Sequence, residues 1–185
     1  MHLIFSQMKA LLAYWDLAPR KDPTTSLYVW HDQMQTGADD LVMSNCPSKY
    51  SKCWNEAEDA FTLASVDLQM FLSREHTAYA RFCTSWAATA VGGERGEAGA
   101  LLKEAAAHEA KAQGILDVME KFLWSETAGV YVGRNMSSGE AITARTYLMG
   151  MPLWGGAAPA AHAAKIGTTF QHVFLTPNFP FVFGY

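Results

Sequence analysis

The sequence predicts an all-α protein assembled from helical hairpins, with long loops gathered on one side. Three observations carry this. Four segments place apolar residues at helical spacing. The stretches between them are long and rich in aromatic residues. The apolar–polar alternation of a half-buried strand is nearly absent, with weak hints only at Val130–Val132 and Phe179–Phe183.

In the first segment Ile4, Met8, Leu11, Leu12 and Trp15 fall on one helical face. Pro19, Asp22 and Pro23 end it. The second runs from about Leu63 to Ala88, with Ser65 as N-cap for Val66 onward. Its predicted core face is Val66, Met70, Phe71, Ala78 and Phe82. The third, about Glu97 to Trp124, is Ala-rich and carries the stripe Ala98, Leu101, Leu102, Ala105, Ala112, Leu116, Met119 and Leu123. The fourth starts near Pro159, a good first-turn residue, and continues through Ala164 to Ile166. Asp22 to Asp59 is a connection of about 38 residues, a length uncommon in a compact domain unless the loop is functional. Val91 to Gly96 is a Gly-rich connector, and Trp124 to Arg145 a second elaborate loop. Helix pairs with loops on one side suit a toroid or solenoid whose function sits on the loop side.

Half of the residues are apolar, so the chain can bury enough surface to fold. Its 185 residues fit one domain or a piece of a larger one. A net charge of -4 argues against nucleic acid or an anionic membrane surface as partner. No apolar run is long enough to span a bilayer. The first residues lack a basic n-region leading into a clean apolar stretch, which slightly favours the cytoplasm. The spacing of Cys46, Cys53 and Cys83 is no disulfide framework. A Cys46–Cys53 bridge fits it, and free thiols are the simpler expectation. No His, Cys or acid spacing matches a metal site, and no phosphate-loop Lys follows the Gly-rich connector, so neither metal nor other cofactor is expected.

The densest chemistry lies in Trp30-His31-Asp32-Gln33-Met34-Gln35-Thr36-Gly37-Ala38-Asp39-Asp40, among Tyr28, Trp30, Tyr50 and Trp54. Carboxylates bind sugar hydroxyls, aromatic rings cover the apolar sugar faces, and a carboxylic acid of raised pKa can protonate a departing glycosidic oxygen. The same residues could instead form a solvated Gly-Asp-Asp turn.

Gln35-Thr36-Gly37-Ala38-Asp39-Asp40 resembles the Glu-Ser-Gly-x-Asp-Asn motif of inverting glycosidases with an (α/α)6 toroid, the family 63 and mannosylglycerate-hydrolase-like enzymes and the related trehalases. Ser65-Val66-Asp67-Leu68-Gln69 resembles their Val-Asp-Leu-Asn helix, Leu123-Trp124-Ser125-Glu126-Thr127-Ala128-Gly129-Val130-Tyr131 their Leu-Trp-Asp-x-x-x-Gly-x-Tyr turn, and Pro152-Leu153-Trp154-Gly155-Gly156 their Pro-Leu-Trp-Ala-Gly element. The four occur in the family's order. The resemblance implies a partial (α/α)6 toroid, with residues 1–185 a single incomplete domain holding the general-acid half. It makes Asp39 the general acid, and Gln35, Asp40, Trp30, Trp54 and Trp154 candidates to bind a carbohydrate substrate, an α-linked glucosyl or mannosyl unit. Gln35 stands where the family has Glu, and Asp40 where it often has Asn.

The family's second carboxylate, the base that activates water, lies far downstream of the acid. Here the last acidic residue is Glu140 and the segment Pro177–Tyr185 is apolar. The expectation is a chain that stops before its fold does, hydrolyses poorly by itself and self-associates through an unfinished edge. The rival is a non-catalytic helical-hairpin module that binds a sugar or a protein through the same loops.

Overall fold

The computed structural model describes residues 2–30, 54–55, 60–61, 63–89, 95–143 and 146–174. Its elements in chain order are α1 (His2–Trp15), β1 (Trp54–Asn55), β2 (Ala60–Phe61), β3 (Leu63–Ala64), α2 (Val66–Thr89), α3 (Arg95–Leu123), β4 (Trp124–Ser125), β5 (Val130–Tyr131), β6 (Gly133–Asn135), β7 (Ala141–Ile142), a 3-10 turn (Tyr147–Gly150), α4 (Met151–Trp154) and α5 (Ala160–Phe174). The chain divides into two compact units. One is Met1–Val29 with Leu68–Lys121, and the other Trp30–Asp67 with Phe122–Tyr185.

The first unit is helical. Leu12, Tyr79, Ala80, Cys83 and Ala105 form a buried cluster, with Phe5 and Met8 packed on it. Phe5 stacks on Tyr79 at 5.1 Å and meets Trp86 edge-on at 5.1 Å. The core-facing line of α1 is thus Phe5 and Met8, partly buried, and Leu12, buried, whereas Ile4 and Leu11 of the expected stripe are exposed. The apolar arc of α1 is wider than one contact, and the aromatic Phe5 takes the core side. A similar rotation occurs in α2. Phe71 and Ala78 are exposed, and Ser73, His76, Tyr79, Ala80 and Cys83 line the core with Met70. Two of those positions are polar, so a purely apolar pattern skips them. Their polar atoms are matched: Ser73 Oγ donates to the Ala112 carbonyl at 3.1 Å, and His76 Nδ1 lies 2.7 Å from His108 Nδ1. In α3 the stripe holds at Leu101, Ala105, Ala112, Met119 and Leu123, while Leu102 faces outward. The Cys83 thiol is free and buried, and burial raises its pKa; Cys46 and Cys53 lie outside the described residues.

After α1 the chain makes a small hairpin rather than the unstructured start of a loop. Asp22 accepts at one carboxylate oxygen from the Thr25 amide (2.6 Å) and hydroxyl (2.7 Å), and Val29 N donates to the Arg20 carbonyl at 2.8 Å. Asp16 gathers the polar contacts beneath it. It takes the Tyr28 hydroxyl at 2.8 Å, the Lys111 ammonium, and Lys21 at 3.6 Å. Burial would raise the Asp16 carboxyl, but these partners hold it below its ordinary value.

The second unit carries the short strands. β3, β6 and β7 form an antiparallel sheet in the order β3-β6-β7, β1 pairs with β2, and β4 with β5. Leu63 and Ala64 therefore belong to a strand, not to the first turn of α2 as expected, and Trp124 to β4 rather than to α3. Val130–Tyr131 is a strand, as its alternation hints. α5 extends beyond Ile166 to Phe174, and Ile166 is fully buried. No helix among the described residues is long and apolar enough to cross a membrane.

Two glycines separate backbone propensity from packing. Gly114 lies on the exposed side of α3 with nothing within 4 Å of an added Cβ, so Gly114→Ala should stabilise by up to about 1 kcal/mol. At Gly150 the new Cβ would lie 2.7 Å from Phe170 Cζ, so Gly150→Ala should cost about 1–3 kcal/mol. Urea denaturation of both variants checks the opposite signs.

Candidate functional site

The segment that holds Gln35, Asp39 and Asp40 lies outside the described residues, as does the Trp54 side chain; the Trp54 backbone pairs with Phe61 in β1 and β2. What the structure shows is how this segment is entered and left. Trp30 N donates to the Leu63 carbonyl at 2.9 Å, in an isolated antiparallel bridge. The Trp30 indole N–H donates to Ser65 Oγ at 2.7 Å, and the Ser65 hydroxyl in turn donates to the Asp67 carboxylate. All three side chains are buried, Trp30 at 6% exposure. Ser65 thus precedes α2 as expected of its N-cap, and its oxygen also seats the indole. The Asp67 carboxylate is committed to this chain in the first turn of α2, where negative charge suits the helix dipole.

In the other unit, Gln69 clasps the backbone of Tyr28. Its Oε1 accepts from Tyr28 N at 3.0 Å, and its Nε2 donates to the Tyr28 carbonyl at 2.8 Å. An amide can do both, which a carboxylate cannot. Sequence reading placed Gln69 in a motif without finding this role. The available signal was an amide among apolar neighbours at the start of a helix.

Of the remaining candidates, Trp154 ends α4 and is 63% exposed, with Tyr147 in the preceding turn also exposed. Trp30 is buried, so the two indoles have opposite environments. A third, Trp124, stacks on His162 at 3.6 Å with the rings 7° from parallel, and meets Tyr131 edge-on at 5.0 Å. Its N–H donates to Glu126 Oε2 at 2.8 Å, and Glu126 also pairs with Lys165. The Lys165 and Trp124 bonds hold the Glu126 carboxyl below its ordinary pKa. A shallow hollow of about 430 Å³ lies beside this pair, between the Glu126–Gly129 turn and the α5 face of Ala164, Lys165, Thr168 and Thr169. Among the described residues no three His, Cys, Asp or Glu side chains come together as a metal site would require.

A helical-hairpin protein with a buried anchor at each end of an acid-bearing segment is the class these observations define. Neutral trehalase Nth1 from Saccharomyces cerevisiae has a similar fold: the TM-score is 0.59 at 14% identity, over 89% of this chain and 38% of that one. The likeness shows the fold class expected from the sequence, an all-α, partial helical toroid like that of a trehalase. The family model described as Trehalase matches residues 13–175, and the chain belongs to that family. No curated protein matches. The chain spans 38% of the neutral trehalase it resembles. Of the relatives the sequence motifs suggested, the trehalases are thus the matched family.

Both anchors yield direct expectations. Ser65→Ala removes the acceptor of the Trp30 indole and a donor to Asp67, and should destabilise by about 1–3 kcal/mol. Gln69→Glu sets a carboxylate against the Tyr28 carbonyl and should cost at least as much, whereas an amide at position 69 is tolerated. Equilibrium denaturation of each variant is the measurement.

Proposed function

We propose that this chain is the acid-bearing part of an inverting glycosidase domain that acts on an α-linked glucosyl unit. One observation supports the reading: the trehalase family match runs over residues 13–175, a range that includes the Gln35–Asp40 motif, and the resemblance of that motif suggests Asp39 as the general acid. The family's name makes trehalose the first substrate to test, ahead of a mannoside.

In this reading Asp39 hands its proton to the leaving oxygen as positive charge develops on the sugar ring. To hold that proton near neutral pH its carboxyl must be desolvated or face another carboxylate. Asp40 is the adjacent acid, and neutral Gln35 bonds sugar hydroxyls without adding charge. Trp154, exposed on α4, and Trp54 offer ring faces to the sugar. Trp30 enters the reading differently from the sequence expectation. Its buried ring and committed N–H suit it to fixing the start of the acid-bearing segment rather than to lining a subsite. An inverting reaction also needs a base about 6.5–9.5 Å from the acid, and no residue of this chain is assigned to that role.

In a chain that also carries the base, Asp39→Asn should lower kcat on trehalose by about 10²–10⁴-fold while KM changes little. The loss should be much smaller on 4-nitrophenyl α-glucoside, whose leaving group needs no proton. Proton NMR should show β-glucose released first from 4-nitrophenyl α-glucoside, and equal amounts of β-glucose (the attacked unit) and α-glucose (the leaving unit) from trehalose. Turnover of trehalose unchanged in Asp39→Asn removes Asp39 from the acid role. Calorimetric binding of trehalose without any hydrolysis by a chain that also carries the base would favour the binding-module reading instead.

A further inference from the structure

The first unit contains a pair of histidines that the proposed chemistry does not use. His76 on α2 is almost wholly buried, and its Nδ1 lies 2.7 Å from Nδ1 of His108 on α3. The ring centroids are 4.9 Å apart, and the Tyr79 ring covers His108 at 4.4 Å. Two Nδ1 atoms at this separation constrain the protons between them. With no proton there, two lone pairs face each other. With two, the N–H groups collide and two positive charges meet. Only one shared proton makes a bond: one ring donates from Nδ1, and the other accepts there while carrying its own proton on Nε2.

We propose that His76 and His108 form an acid-sensitive latch between α2 and α3, closed by a single shared proton and opened when both rings become charged.

The surrounding charges set the direction. Burial first, then Lys111 and the charge of His108, lower the His76 pKa to about 4, against a smaller opposing effect of Asp16; Lys21 adds to the lowering. Burial also lowers His108, where Glu104 and Asp16 oppose it and Lys111 and Lys9 reinforce it. Lys111 is itself paired with Asp16, and Lys9 with Glu104 at 2.7 Å, so neither lysine acts as a bare charge. Tyr79 also donates its hydroxyl to Glu104 at 3.0 Å and keeps its own proton, because burial and the acid raise its pKa. The unfolded chain therefore binds more protons than the folded one wherever pH lies between the lowered His76 value and the ordinary histidine value of about 6.5. The stability given by the neutral pair is complete above that upper value and is lost as pH falls through the window.

The latch is read most directly in the unaltered chain. Imidazole nitrogen shifts, followed by NMR from about pH 7 to pH 4, should show one Nδ1-protonated ring and one Nε2-protonated ring. The folded-to-unfolded ratio should fall by up to about tenfold per pH unit for each of the two protons taken up below about pH 6.5, and amide exchange should quicken first in α2 and α3. His76→Gln keeps a neutral hydrogen-bonding side chain opposite His108, so that ratio should lose most of its pH dependence above about pH 5, where carboxylates do not yet titrate. His108→Gln should do the same. Two rings titrating independently near 6.5, or an unchanged slope in a folded Gln variant, would overturn the proposal. Should neither variant fold, the titration of the unaltered chain still decides it.

Discussion

The closest constraint on this fold is the closure at Trp30 and Leu63. A backbone hydrogen bond of 2.9 Å joins residues that lie more than thirty positions apart in the chain. Bringing the ends of such a segment together costs about 3 kcal/mol of chain entropy on top of a fixed term. One hydrogen bond does not offset that. The indole bond to Ser65, the Ser65–Asp67 bond and the burial of Trp30, Leu63, Ala64 and Ser65 act at the same point. The closure also links two kinds of structure in sequence: β3 comes immediately before α2, and Ser65 alone separates them. A residue that follows a strand, receives an indole and precedes a helix has little room for substitution.

Within the helical unit, the polar side chains buried on α2 find partners. Ser73, His76 and Gln69 occupy core positions of α2, and each is bonded to the backbone or to a facing ring. The alternative, a buried polar atom without a partner, costs roughly 1–3 kcal/mol per group. Asp16 follows the same rule with charge. Its carboxylate stays ionised against partial burial because two ammonium groups and the Tyr28 hydroxyl converge on it. Tyr28 pays the complementary electrostatic cost, since burial and the nearby carboxylate both make its proton harder to lose.

How far the sequence was legible follows from which signal each element uses. Apolar spacing finds helices because a helix must bury a stripe, and α1, α2, α3 and α5 were all readable this way. It locates the buried face less well. Ile4 and Leu11 satisfy the same period as Phe5, Met8 and Leu12, and only the aromatic partners on α2 choose between the two lines. The helix start at Val66 was readable from Ser65, but the strand before it was not. Two residues of β3 carry no periodicity, and their pairing with Leu63↔Asn135 and Ala64↔Arg134 register is fixed from far along the chain. The candidate site is visible in the sequence only as the motif Gln35–Asp40. The roles of Ser65 toward Trp30, and of Gln69 toward Tyr28, depend on contacts across long sequence separations, which spacing alone does not encode.

The turn at Leu123–Tyr131 shows why a family resemblance can be physical rather than incidental. Trp124 and Tyr131 are register partners across β4 and β5, so their rings must meet, and they do, edge-on. The loop between them closes through Gly129 N on the Ser125 carbonyl at 2.8 Å, with Gly129 at φ +66°, a conformation in which a side chain is strained. Ser125 accepts the Ala128 amide at 3.2 Å, a bond that the Asp found there in the resembled motif could also accept. The spacing Trp-x-x-x-x-Gly-x-Tyr is therefore the spacing this hairpin geometry demands. The stacking of His162 on Trp124 ties that turn to α5. None of the residues that shape this turn belongs to the Gln35–Asp40 motif, so forming the turn and carrying out the chemistry proposed for that motif are separable properties of the fold.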